Sequence, residues 1–259
     1  MPFTVICALD LNVDPSFTVP LHIQMEKTYC CMCCTSSPVT VDVQSPVCSY
    51  APGQIMPIRI HVENLSDVHI ELIKIYIKQL TIYKATSSPG AKKKTEDILV
   101  YMEEPLSRVQ RGVTTVIQLN KQIPPAPPSF FPNCHLIDLS YDFCVECVVS
   151  GCHANIKDNR FFMIGSVPVV EMPGQPVSSG IIPDKLPNDR FGVPAEYPPF
   201  QSLYSTLMEP VYVRGLFESR SLREKDESEY VMIQGPENFA PFYPTYEAIQ
   251  PPAFLEQLD

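Results

Sequence analysis

The sequence predicts an all-β protein: an antiparallel sandwich in its first two thirds, then a long tail that does not fold. Three observations carry this. Apolar and polar residues alternate with period two between residues 38 and 170, and nothing there shows sustained helical spacing. After Glu171 the alternation stops, and proline and acidic residues take over.

The elements follow in order. Val39, Val41 and Val43 alternate with Thr40, Asp42 and Gln44, and Ile58, Ile60 and Val62 with Arg59, His61 and Glu63, so each strand buries one face. Residues 70–84 set Ile73, Ile75 and Ile77 on one face, but Leu80 and Ile82 fall on the opposite parity. That switch predicts a β-bulge within the strand. Strands are expected at 98–102, 113–119 and 136–149, the last with Ile137, Leu139, Tyr141, Phe143, Val145, Cys147 and Val149 on one face. Short strands at 161–164 and 167–170 complete a set of immunoglobulin-like type. Lys92, Lys93 and Lys94 fall in an expected hairpin loop, 86–97, either solvated or facing an anionic surface. Residues 171–259 hold 13 of the 28 prolines and read as disordered, with a short charged helix conceivable at 220–230.

Composition narrows the function. Residues 1–170 carry 13 Lys/Arg against 15 Asp/Glu, whereas 171–259 carry 6 against 14, so the net charge of -10 sits mostly in the tail. An acidic chain is unsuited to nucleic acid, whose binding draws on Lys and Arg. The closest glycines, Gly174 and Gly180, are too far apart for a G-x-G-x-x-G or a P-loop. No nucleophile elbow or zinc-protease motif occurs, and His22, His61, His69, His135 and His153 lie in no catalytic pattern. A non-enzyme without cofactor is expected. Met1 to Leu11 has no basic leader, and no uncharged apolar run nears the roughly 18 residues of a membrane span. The ten cysteines are therefore expected as reduced thiols in the cytoplasm.

Several segments, in order, resemble the C-terminal domain of an arrestin-domain-containing protein, an alpha-arrestin. Phe3-Thr4-Val5, Leu9-Asp10-Leu11-Asn12 and Pro15 resemble the connector into that domain, and the cysteines Cys30, Cys31, Cys33 and Cys34 before Pro38-Val39 its entry. Tyr50-Ala51-Pro52-Gly53-Gln54-Ile55 and Val62-Glu63-Asn64-Leu65-Ser66 follow. The proline run 123–129, Cys134, Leu139-Ser140-Tyr141 and Ile164-Gly165-Ser166-Val167-Pro168 complete the order. Phe239-Ala240-Pro241-Phe242-Tyr243-Pro244-Thr245-Tyr246 is similar to a tail segment of many members. The resemblance implies a connector at 1–29, an arrestin-type sandwich at 30–172 and a tail at 173–259. Members normally carry an N-terminal arrestin domain before the connector, which this sequence does not contain.

It also implies a non-enzymatic adaptor joining membrane-protein cargo tails to ubiquitination, endocytosis and protein transport. The setting would be cytoplasmic, with recruitment to plasma membrane and endosomes and peripheral membrane contact. Family members recruit HECT-type ubiquitin ligases through P-P-x-Y segments read by WW domains. No such segment occurs, and Pro251-Pro252-Ala253-Phe254 is the nearest tail match, with Pro251, Pro252 and Phe254 in the reading positions. Tyr204 with Leu207 is the best tyrosine sorting pattern for clathrin adaptors, ahead of Tyr197/Phe200, Tyr230/Ile233 and Tyr246/Ile249. The cluster Cys30, Cys31, Cys33, Cys34 reads as packed thiols, as a lipidation site, or as part of a zinc site completed by Cys48 or His22. The alternative function built on it is a cysteine-based redox or metal-responsive regulator. Cys144 and Cys147 spell C-x-x-C, but an odd offset on a strand sends them to opposite faces.

Overall fold

The computed structural model describes residue 4 and residues 7–31, 34–35, 37–86, 92–130, 134–169, 210–217 and 240–246. Two sheets face one another. One has the strand order β1(Leu21–Lys27), β4(Val39–Ser45), β6(Ile55–Asn64), β9(Val113–Gln122). The other has the order β5(Ser49–Tyr50), β11(Ile156–Ile164), β10(Ile137–Val149), β7(Ile70–Thr86), β8(Lys92–Leu106). All neighbours are antiparallel except β5 and β11. Within the segment 30–36, β2(Cys30–Cys31) pairs with β3(Cys34–Thr35), placing Cys31 opposite Cys34.

The alternation places the core. Ile23, Val43, Ile60 and Ile117 are cross-strand partners in one row of the first sheet. Tyr101, Ile77 and Phe143 make a row of the second. Nearly all join one buried cluster, each full burial of an Ile or Val contributing about 1.5–3 kcal/mol. A smaller cluster lies outside it: Leu9, Leu11, Phe17, Met163 and Val169. The connector thus covers the outer side of β11, which explains why Phe162, Met163 and Ile164 are all buried regardless of parity. Gly165 permits this cover, since a Cβ there would overlap the Leu11 side chain.

Four local expectations change. The strand β7 keeps one parity through its pairing with β10 from Tyr83 to Leu72, so no bulge follows Ile77. Instead, Gln79 and Thr81 occupy inward positions and are buried, while Leu80 and Ile82 face outward. The bulge belongs to β8, where Met102 and Glu103 oppose Tyr76 and Met102 has φ 51°. Lys92, Lys93 and Lys94 pair with Thr86, Ala85 and Lys84 and so lie in β8 rather than in a loop. The expected strand at 167–170 is one bridge, Asp10 to Val167. Finally, β1 lies in the stretch assigned to the connector yet pairs along its length with β4, because Leu21, Ile23 and Met25 complete the core row.

Within the stretch assigned to the tail, two segments are ordered. β12(Val211–Arg214) and β13(Phe242–Thr245) form an antiparallel hairpin with Val213 opposite Tyr243. Among the described residues, no helix is long and apolar enough to cross a membrane.

Candidate peptide-binding site

One end of the sandwich gathers the proline run after β9, the turn before β6 and the close of the domain. Gly53 sits in that turn with φ 89°, a conformation glycine adopts without strain. Its N–H donates to the Ile123 carbonyl (2.8 Å), and the Ile123 N–H donates to the Gln54 carbonyl (2.9 Å), locking the turn to the proline run. Beside it lies a buried polar network. The Tyr101 hydroxyl donates to Gln79 Oε1 (2.9 Å), and the Tyr141 hydroxyl lies 2.7 Å from the Pro127 carbonyl and 3.1 Å from the same Oε1. Gln79 Nε2 donates to Thr81 Oγ1 (3.0 Å). The inward polar residues of β7 are therefore satisfied, as burial requires.

The hairpin docks on this end. The Tyr246 N–H donates to the Pro52 carbonyl (2.9 Å), and its hydroxyl donates to the Ser166 carbonyl (2.8 Å). The Phe242 N–H donates to Thr4 Oγ1 (3.2 Å). Phe217 stands edge-on to Tyr101 at 4.7 Å between centroids. Tyr246 is 4% and Ala240 1% exposed, so the segment is embedded at its two ends while Phe242 between them stays exposed. Burial pushes the Tyr243 hydroxyl up to about 12 and those of Tyr101, Tyr141 and Tyr246 higher, so all four are neutral donors near pH 7.

A second feature is the seam where the outermost strands β8 and β9 meet, joined by the Lys121–Glu104 ion pair (2.7 Å). Leu99, Met102 and Leu106 from β8 and Ile117 and Leu119 from β9 are only partly buried against the core. Edge strands leave a row of backbone groups unpaired, so this seam offers an extended peptide both hydrogen bonds and apolar contact. A third, polar patch lies on the outer face of the first sheet, where Asp42, Gln44, Arg59 and His61 line a shallow depression. His22 Nε2 lies 2.8 Å from Asp42 Oδ1, and Gln44 Nε2 donates to Asp42 Oδ2 (3.2 Å).

The sequence-derived candidates fare unevenly. Tyr204, Leu207, Pro251, Pro252, Phe254 and the possible helix at 220–230 lie outside the described residues, as does Cys33. For Cys30, Cys31 and Cys34 the structure fixes only the strand register. The proposed completers of a zinc site point elsewhere: His22 turns outward to Asp42, while Cys48 is buried with its thiol toward the Phe17 carbonyl (3.7 Å). Among the described residues, no group of three His, Cys, Asp or Glu is arranged to hold a metal. Cys144 and Cys147 take opposite faces of β10, as the offset requires, and burial pushes their thiols up to about 11 and about 12. His153 has a ring partner in Tyr29 at 5.2 Å. Sequence reasoning missed the hairpin's docking and the Gln79 network. The signals were there: two polar residues in phase with Ile73, Ile75 and Ile77, and an aromatic-rich tail segment.

The architecture is a two-sheet antiparallel sandwich with the connector folded against it. The family profile described as Arrestin (or S-antigen), C-terminal domain, matches residues 35–169, more than half of the chain, and the chain belongs to that family. It is also similar to Arrestin domain-containing protein 17 of Caenorhabditis elegans, with 23% identity over 286 residues. That similarity covers 94% of this chain but only 66% of the relative's length.

Proposed function

We propose that the protein is a non-enzymatic adaptor of the alpha-arrestin kind, capturing membrane-protein cargo tails and linking them to ubiquitination, endocytosis and intracellular transport. The observation that supports this best is the open seam of β8 and β9, with Ile117 and Leu119 half-buried at the edge. A cargo tail would add there as a strand, with alternate side chains contacting the seam. Tail motifs, Tyr204 with Leu207 for clathrin adaptors and Pro251, Pro252 and Phe254 for a WW-domain HECT-type ligase, would recruit the second partner from a cytoplasmic pool at the plasma membrane or endosomes. The test is NMR titration of the full chain with cytoplasmic-tail peptides. Shifts should cluster on β9, and Leu119→Lys, an inward charge at the edge, should weaken binding about tenfold or more. Shifts confined to other strands would reject the reading. The redox alternative has less support, since burial raises the Cys48, Cys144 and Cys147 thiols away from the reactive thiolate.

A further inference from the structure

Residues 240–246 are held by features that fit a tyrosine-ended strand and little else. The Pro52 carbonyl takes the Tyr246 N–H, and the Ser166 carbonyl takes the hydroxyl at the far end of the same side chain. Ser166 is itself fixed, because its Oγ accepts the Leu9 N–H (2.6 Å) and its backbone N–H donates to the Leu9 carbonyl (2.9 Å). Gly53 leaves room for the strand, since a Cβ there would overlap the Tyr246 backbone. Upstream, Tyr243 lies close enough to Tyr101 and Tyr141 that its charge would raise the pKa of both. Gly215, opposite, admits the Tyr243 ring, which would stand 2.8 Å from a Cβ at that position.

We propose that this end of the sandwich is a peptide-binding site for extended, unphosphorylated aromatic-Pro-x-Tyr segments, held shut in cis by residues 240–246. The specificity follows from the acceptors. A phenylalanine in place of the final tyrosine leaves the buried Ser166 carbonyl without its donor. A phosphotyrosine cannot donate there, and it brings charge into a site where burial first, then Tyr212 and Asp10, already disfavour a charged Tyr246 hydroxyl. Because ligand and site share one chain, the cis segment acts at an effective concentration on the order of millimolar, and a partner must displace it. While docked, Tyr246 is also withheld from any reader of the Tyr246/Ile249 sorting pattern, since 4% exposure leaves no ring to grip.

The experiment uses the full chain and a fluorescent peptide with the sequence of residues 240–246. Tyr246→Ala empties the cis site, so anisotropy should show the variant binding the peptide at least about tenfold more tightly than the unaltered chain. Peptides ending in phenylalanine or phosphotyrosine should each lose about tenfold or more on that variant. Equal affinity for both chains, or full retention by the phosphopeptide, overturns the proposal. Hydrogen exchange on the unaltered chain is independent of the variant's folding. The Tyr246 amide should exchange at least about tenfold more slowly than in the free peptide, and exchange at the free-peptide rate overturns the proposal. The proposal does not rest on cargo capture at the β8–β9 seam. Leu119→Lys should leave peptide binding here unchanged while weakening capture there about tenfold or more, so the two can fail separately.

Discussion

Gln79 shows why a single residue can mislead a pattern. Two polar side chains on the inward parity of β7 imitate a phase switch, because the periodicity rule assumes that inward means apolar. What permits them is the pair of hydroxyls from Tyr101 and Tyr141, which come from strands far away in sequence and are invisible to any local window. The network should therefore be costly to open. Tyr141→Phe deprives the Pro127 carbonyl of its donor and should lower stability by about 1–3 kcal/mol, read from urea unfolding with an unchanged denaturant slope. The buried thiols give a pH dependence. Cys48 is pushed up to about 11 and Cys147 to about 12, both by burial, against an ordinary value of 9.0. A raised folded-state pKa favours the neutral thiol in the fold, so this stability is present in full below pH 9 and is lost as pH rises toward 11 and 12. Between pH 9 and 10.5 the folding constant should fall roughly tenfold in all for each such thiol. Cys48→Ala should make the urea midpoint visibly less steep in pH.

At the scale of the strand, most of the fold could be read in the sequence. The strands β4, β6 and β10 lie close to where alternation put them, because each buries one face and wets most of the other, and β9 does so with its inward face only half-buried. Two things escaped. The strand β8 reaches back to Lys92 because backbone pairing with β7 needs no apolar side chain. The fate of Leu80 and Ile82 depended on which strand held the bulge. With the bulge in β8, Leu80 lies opposite Ile98, and Ile98 (55% exposed) and Val100 (43%) face solvent on the outermost strand. Parity is thus directly testable. Ile98→Thr keeps β-branching on an exposed face and should change stability by no more than about 0.5 kcal/mol. Ile77→Thr, two residues from Gln79 and fully buried, should cost about 2 kcal/mol or more. Similar thermal shifts for the two variants would mean that β7 does not run with one parity.

For the whole molecule, the composition of the tail was informative on average and silent about its exceptions. Proline and acidic residues describe 171–259 as a sum, but ordering the hairpin depends on its aromatic residues meeting a prebuilt surface. Phe217 follows β12 and Tyr246 follows β13, and each makes its own contact: Phe217 on Tyr101, Tyr246 on Pro52 and Ser166. The hairpin joins the two through its pairing, Val211 with Thr245 through Arg214 with Phe242. A surface held by a single strand would treat the two side chains as independent. Here, either loss should weaken the whole hairpin, so the second change finds less to remove. Phe217→Ala and Tyr246→Phe should each destabilise the chain by about 1–2 kcal/mol, and the double variant should fall short of their sum by at least about 0.5 kcal/mol. The measurement is a double-mutant cycle in urea, with hydrogen exchange at the Gly215 amide as its local readout, because that amide donates to the Pro241 carbonyl (2.7 Å) and closes the hairpin. Strict additivity, with Gly215 equally protected in all four proteins, would show two independent contacts and no hairpin docking as a unit.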